Sequence, residues 1–579
     1  MLKKIPMNHL KSFIICTLFF TNFNHSKAQI FFKTHPGINP YQFETIKEKL
    51  FTHAAVTSAH PLASMVGAAI MQDGGNAFDA AIAVHFALAV VHPAAGNIGG
   101  GGFLLARTNN GKLIGLDFRE AAPAIASRDM YLDEKGNPIT TKSLEGPLAS
   151  GIPGSVSGMF NAHVYAKLPM AQLIEPAIEL AEYGFVLTEK EAGSLNSVRG
   201  ALLKLSSAPS AYTKKIKWMK GDTIFQPELA ATLRRIQING LAGFYEGVTA
   251  DLIVKEMANG AGIISTTDLK NYQTKKRVPI EFDYKNHHVI SFAPPSSGGI
   301  LIAQMMKMIA PFDIAAMGYQ SHAAVGLMVE SQRRAYADRA EHMGDPDFWK
   351  VPTRTLISDT YAKQRMQDYT PGVAGNSKNT NAGQAKESEQ TTHYSVIDKE
   401  GNMVAITTTL NDSYGNKTVV AGAGFLLNNE MDDFSAKPGV PNMFGAIGGE
   451  ANAIAPGKRM LSSMTPTLVT VNNKAYLTIG SPGGTTIPNQ IYEGLINMID
   501  FKMSLKQSID ASRFHHQWIP DQIQVEADFP DATIQALKKQ GYKVNQRGYF
   551  GRMDGIRILP NGKIEAAGDK RGDDSVAGY

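Results

Sequence analysis

Residues 391–411, TTHYSVIDKEGNMVAITTTLN, decide the fold: Tyr394 and Val396, then Val404, Ile406 and Thr408, alternate around Gly401-Asn402. Period-two alternation about a Gly-containing turn predicts a β-hairpin. The preceding residues 371–390, PGVAGNSKNTNAGQAKESEQ, are polar and nearly empty of large apolar side chains. Such a stretch cannot bury enough surface to order itself, so it reads as a loop. The junction Gln390-Thr391 therefore delivers a threonine from a loop to the first position of a sheet. A threonine freed at a new N-terminus would hold a hydroxyl nucleophile and an amine base in one residue.

Working outward, the downstream pattern predicts strands at 394–398, 403–409, 466–471 and 475–479, followed by a helix from Ile487 to Ile499. Upstream, alanine-rich helical patterns run from Leu62 to Gln72 and Ala77 to Val91. The glycines of Asp73-Gly74-Gly75-Asn76 end the first, and Asn76 is placed to cap the second. The run GNIGGGG, Gly96 to Gly102, feeds an apolar strand over Phe103 to Ala106. It lacks the Gly-Lys-Ser/Thr ending of a phosphate loop and precedes a strand, so it reads as a place of close packing. Further helical patterns fall at 170–182, 226–237, 250–258, 319–341 and 354–367, with a strand at His288 to Phe292. Helices outside two sheets suit an α+β fold with a four-layer αββα core.

At 579 residues the chain exceeds the size at which one simple core stops growing. Its first residues resemble a secretory signal: Lys3, Lys4 and Lys11, an apolar run from Phe13 to Phe20, and Ser26-Lys27-Ala28 before Gln29. The apolar run is too short to span a bilayer, so no stable membrane span is expected once residues 1–28 leave. The formal charge of +5 includes Lys3, Lys4, Lys11 and Lys27, and residues 1–28 hold no acid, so the mature chain carries +1. A nearly neutral chain argues against a nucleic-acid partner. Cys16, the one cysteine, sits inside the signal, which excludes a thiol nucleophile or disulfide in the mature protein. The expected location is periplasmic or secreted.

Four motifs in order carry a resemblance: Thr391-Thr392-His393-Tyr394-Ser395-Val396, Asn428 to Phe434 (NNEMDDF), Leu461 to Pro466 (LSSMTP), and Gly480-Ser481-Pro482-Gly483-Gly484. Together they resemble the γ-glutamyltranspeptidases, members of the N-terminal-nucleophile hydrolases. The resemblance extends from Ala59-His60-Pro61 to the final Asp573-Asp574-Ser575-Val576-Ala577-Gly578-Tyr579. It implies that Thr391 is the nucleophile and the first residue of a small subunit, 391–579, cut from a large subunit, 29–390. The two would stay together as a heterodimer forming one intertwined unit.

The resemblance also implies a role for each remaining site residue. Thr409, in the paired strand, would orient Thr391. A γ-glutamyl donor carries an α-amine and an α-carboxylate, and both need partners once buried. Asn411, Glu430 and Asp433 match the amine-binding positions, and Arg119, Ser462 and Ser463 those for the carboxylate. A guanidinium offers a planar fork to a carboxylate. Gly483 and Gly484 match the oxyanion hole, where glycine permits close backbone approach. Residues 438–449 (PGVPNMFGAIGG) resemble a lid loop that carries tyrosine in many bacterial members where this chain has Phe444. Without that hydroxyl, a looser lid with easier entry of water is expected.

His515-His516 could suggest a metal, but adjacent histidines diverge and no third ligand of suitable spacing is evident, so a hydrogen-bonding or packing role is expected. Asp573-Asp574 reads as structural. The family chemistry needs no metal and no cofactor. The activity implied is transfer of the γ-glutamyl group of glutathione and related compounds to water or to amino-acid and peptide acceptors. The rivals are an acylase for glutaryl-type β-lactam side chains, which would need no amine-binding acids, and an uncleaved binding protein without turnover.

Overall fold

The computed structural model describes residues 31–380, 391–435, 437 and 449–579. The expected signal with Cys16, Gln390 and Phe444 lie outside the described residues.

Two seven-stranded sheets form the centre. One runs in the order Ser575–Gly578, Ala55–Ser58, Thr392–Ile397, Met403–Thr409, Gly101–Arg107, Leu113–Asp117 and Lys275–Lys276. The other runs Glu48–Phe51, Ile564–Gly568, Asp554–Ile558, Lys474–Gly480, Thr467–Val471, His287–Ser291 and Ile280–Tyr284. Every neighbour in both sheets is antiparallel. The expected hairpin is the middle of the first sheet, with Thr392 paired to Thr408 and Gly401 at the turn in the left-handed region. Its strand begins at Thr392, one residue after the expected position.

Helices Pro61–Gln72 and Ala77–Val91 cover the outer face of the first sheet, while Gly298–Ile309 and Thr486–Ile499 cover the second. This is the expected four-layer αββα arrangement. Ala77–Val91 is apolar all round and buried along its whole length, as such a helix must be. Asn76 caps it through a reciprocal box with Asp79.

Alternation within the hairpin sorts its side chains. Tyr394, Val396, Val404 and Ile406 join the core beneath the helices, whereas Ile397, Met403 and Ala405 join the core between the sheets. Phe103 and Phe292 meet there with ring centroids 4.5 Å apart. Toward the Thr391 end the same layer turns polar: His393 Nδ1 bonds Thr407 Oγ1 at 2.8 Å, and His393 Nε2 bonds Ser395 Oγ at 3.0 Å. The Gly96 to Gly102 run is a place of close approach; a Cβ on Gly100 would stand 2.1 Å from the Thr409 carbonyl oxygen.

Three expectations need correction. The helix expected over 354–367 is two, Thr353–Leu356 and Asp359–Arg365, because Ser358 caps the second through the Tyr361 amide. The strands Asp554–Ile558, Ile564–Gly568 and Ser575–Gly578 add to both sheets beyond the expected set. Residues 371–380, expected as unordered loop, are bonded into the body: Ser377 and Thr380 are buried, and their carbonyls accept the Trp518 indole N–H. The partners that order them lie about 140 residues away, beyond the reach of local composition. Among the described residues no helix is long and apolar enough to cross a membrane.

Candidate active site

Because Thr392 pairs with Thr408, Thr391 and Thr409 stand opposite one another one step beyond that pair. By alternation both point with His393 and Thr407 into the space between the sheets, at its polar end. Both are buried. Thr409 Oγ1 accepts the Asn411 amide at 2.7 Å, in a turn where Asn411 has φ 74°. Asparagine tolerates that left-handed conformation better than most residues.

Asn411 reaches the second expected group. Its Nδ2 donates to the Asn429 carbonyl at 3.0 Å, and Asn429 Oδ1 accepts the Asp412 amide at 3.0 Å. Asn429 leads into the 3-10 turn Glu430–Asp433. Asn428 fixes that turn: its Oδ1 accepts the Gly151 and Glu430 amides, and its Nδ2 donates to the Gly99 and Gly151 carbonyls.

Arg119 follows the strand Leu113–Asp117 and is fully buried. Its guanidinium pairs with Glu430 through Nη1 and with Asp433 through Nη2, and Glu120 lies 3.6 Å from Nη1. The remaining donors reach the Met460 carbonyl at 3.4 Å and the Leu461 carbonyl at 3.3 Å. The residues expected to bind the amine and the arginine expected to bind the carboxylate thus stand side by side in one cluster, the guanidinium paired with two of the acids. Burial works against the arginine's charge, but Glu430, Asp433 and Glu120 outweigh it and raise its pKa. Glu120 and Glu430 are buried and Asp433 is part-exposed, and the arginine does not offset the burial of all three carboxyls. Burial pushes Glu430 well above the carboxylate range, raises Asp433, and lifts Glu120 to about 8.

Ser462 and Ser463 continue from Leu461. The Ser462 carbonyl accepts the Ser297 amide at 2.7 Å, and its Oγ accepts the Met464 amide at 3.2 Å. Ser463 Oγ accepts from Arg339 Nη2 at 3.1 Å. Arg339, buried on the helix His322–His342, and Glu120 are members of this constellation that the sequence reading missed. The adjacent opposite charges Arg119-Glu120, directly after the strand Leu113–Asp117, were an available signal for Glu120. For Arg339 the signal was its place within a buried helical period.

Gly483 and Gly484 follow the strand Lys474–Gly480, whose last residue packs on His393 so closely that a Cβ there would lie 2.1 Å from the ring. Both have positive φ, 136° and 54°. They open the helix Thr486–Ile499, and the Gly483 carbonyl accepts from Thr486 N at 3.0 Å and Thr486 Oγ1 at 2.6 Å. Gln490 locks the turn by accepting from Ser481 Oγ and donating to the Pro482 carbonyl and Thr486 Oγ1. Neither glycine N–H donates to an acceptor among the described residues. Two amides at a helix N-terminus, beside the Thr391 end of the sandwich, can stabilise an anion.

His515 and His516 take hydrogen-bonding roles. His515 bonds Asn489 and Gln517, and His516 accepts the Trp518 amide and faces Asp521 at 3.3 Å. Asp573 accepts from Thr188 Oγ1 at 2.8 Å, and the buried Asp574 leads into the strand Ser575–Gly578, so the acidic tail is structural. Among the described residues no group of three His, Cys, Asp or Glu side chains could hold a metal.

Residues 63–579 match the family model described as gamma-glutamyltranspeptidase. The glutathione hydrolase proenzyme of Escherichia coli (strain K12) is 43% identical over 553 residues, 94% of each chain. Among solved structures, Helicobacter pylori gamma-glutamyltranspeptidase matches with a TM-score of 0.54 at 42% identity, over 56% of this chain and 94% of that one. The cephalosporin acylase from Bacillus halodurans matches with a TM-score of 0.81 at 25% identity, over 93% of this chain and 98% of that one. Two antiparallel sheets between helical layers are thus common to this chain and these structures.

Proposed function

The chain belongs to the gamma-glutamyltranspeptidase family, and from that premise we propose that it is a self-cleaving γ-glutamyltransferase and glutathione hydrolase. The precursor cuts itself at Gln390-Thr391, leaving subunits 29–390 and 391–579. Both subunits contribute strands to both sheets, so cleavage completes one shared site and releases no separate domain.

Thr391 Oγ1 attacks the γ-carbonyl carbon of the donor, and its proton passes to the new α-amine of Thr391. That amine, with a reference pKa of about 7.7–8.0, can accept a proton near neutral pH. Thr409 orients the hydroxyl, and the Gly483 and Gly484 amides hold the developing oxyanion, each donor being worth roughly a hundredfold or more in rate. The amide C–N bond breaks as the leaving amine takes the proton, leaving a γ-glutamyl ester on Thr391. Water, or the amine of an amino acid or peptide, attacks the ester and returns the proton to Thr391 in a ping-pong course. Arg119, Ser462 and Ser463 receive the donor's α-carboxylate; Asn411, Glu430 and Asp433 receive its α-ammonium. The scheme requires no cofactor. A signal over residues 1–28 would make the enzyme periplasmic or secreted.

The observation that carries this reading is the Arg119–Glu430–Asp433 cluster, its arginine and glutamate buried and its aspartate part-exposed, joined through Asn429 and Asn411 to Thr409. It presents both signs of charge, as an α-amino acid end requires. The second reading, a glutaryl acylase, is favoured by the likeness to the cephalosporin acylase. It leaves Glu430 and Asp433 without a ligand to serve. Turnover of a chromogenic γ-glutamyl anilide by the wild type, lost in Thr391→Ala, tests the proposal; turnover of a glutaryl anilide alone would transfer it to the acylase class.

A further inference from the structure

Residues 374–380, whose composition gives them no reason to settle anywhere, are held through their backbone and through the Ser377 hydroxyl. The Trp518 indole N–H donates to both the Ser377 carbonyl at 3.0 Å and the Thr380 carbonyl at 2.9 Å. Asp521 Oδ2 accepts the Ser377 amide at 2.8 Å, and Ser377 Oγ donates to the Trp518 carbonyl at 2.6 Å. Arg333 Nη1 bonds both Ser377 Oγ and Asp521 Oδ1, tying donor and acceptor together. Upstream, the Gly375 amide reaches Glu330 Oε1 at 2.9 Å and the Ala374 amide the Gln540 carbonyl at 3.0 Å. Trp518 itself sits at φ 71°, a costly conformation for a bulky residue. Strain of that kind persists only where surrounding contacts enforce it.

Trp518, Asp521 and Gln540 follow Thr391 in the chain, whereas the segment they grip precedes it. We propose that Trp518, Asp521 and Arg333 form a clamp on Ser377–Thr380 that positions the precursor for self-cleavage, and that keeps the large subunit's end tied to the small subunit afterwards. The clamp rests on the self-cleaving reading above. These are positioning residues: none touches the reacting bond. The clamp leaves ten residues, 381–390, between its last contact and Thr391. With the clamp open, the next hold is Gly375, which leaves fifteen. The farther the last hold lies from Thr391, the weaker its control over how the scissile bond is presented. Each hydrogen bond lost lowers clamp occupancy by a factor of roughly two to ten.

The test uses the full-length precursor, followed on gels from the moment of refolding, in wild type, Trp518→Phe, Ser377→Ala and the double variant. Self-cleavage slower by about two- to tenfold is expected in each single variant. The double variant should be slowed by less than the product of the single effects, since both act on one clamp. Once split, the variants should match wild-type kcat/KM on a γ-glutamyl anilide, which separates positioning of the precursor from damage to the site. Trp518 is buried, so Ser377→Ala decides the matter should Trp518→Phe fail to fold. Wild-type cleavage with unchanged rates in Ser377→Ala and the double variant overturns the clamp. A wild-type chain that never splits overturns instead the self-cleaving reading.

Discussion

Thr391 stands opposite Thr409 at the open end of the central strand pair, one step beyond the Thr392–Thr408 pair and on the face that looks between the sheets. That places two hydroxyl-bearing side chains together where the inter-sheet layer has changed from apolar to polar. Thr409→Ala should slow both self-cleavage and turnover by about ten- to a hundredfold, the value of one hydrogen bond to a reacting group. Thr409→Ser should restore most of both. Equal rates in the alanine and serine variants would show that the hydroxyl does no orienting.

Arg119→Lys keeps the charge but gives up the fork that bonds Glu430 and Asp433 at once. The kcat/KM for a γ-glutamyl anilide should fall by roughly one to two orders of magnitude, mainly through KM, because two charge-assisted bonds become one. Initial-rate kinetics with a thermal melt at the same pH check this. A variant of wild-type stability and unchanged KM would remove Arg119 from donor binding.

Gly483→Ala meets two obstacles: φ 136°, and a Cβ that would lie 2.5 Å from Thr486 Oγ1. The turn must shift, carrying the amides with it. The expected result is a kcat lower by about a hundredfold with KM within a few-fold of wild type. A loss confined to KM would place this turn in ground-state binding.

Four buried histidines predict acid sensitivity. Burial holds His85 and His516 down at about 4 and His393 and His515 down at about 3, against 6.5 for a free imidazole. Each stays neutral in the fold while the unfolded chain gains a proton. Their contribution is fully present above about pH 6.5 and is lost as pH falls toward 4, at about 1.4 kcal/mol per pH unit for each. Melting temperature should drop through that window, and His515→Gln should make the drop shallower. A flat profile between pH 6.5 and 4.5 would contradict the assignment.

Local rules carried the sequence far where the physics was local. The hairpin followed from alternation about Gly401, and the helix after Asn76 from its cap and apolar length. The glycine run read as close packing because nothing but packing suited it. What escaped was set by partners distant in the chain. Residues 371–380 look unordered until Trp518 and Asp521 are brought to them. Arg339 looks like one more basic position on a helix until Ser463 sits beside it. The site residues were named through resemblance. Their juxtaposition, with Arg119 paired to the acids expected for the amine, was legible only in three dimensions, because no spacing in sequence links 119 to 430 and 433. Of the final strands, Ile564–Gly568 and Ser575–Gly578 are short and pair with strands from the far end of the chain, Glu48–Phe51 and Ala55–Ser58, and these partners are invisible to local pattern.

The central claim is that one bond, Gln390-Thr391, is cut by the chain itself to create the nucleophile. Intact-mass measurement of the purified protein, with N-terminal sequencing of the smaller chain, tests it most directly. Two chains are predicted, the smaller beginning Thr-Thr-His-Tyr-Ser-Val, with a single uncut chain from Thr391→Ala. A wild-type protein that remains one chain, or a smaller chain beginning at any other residue, would contradict the account.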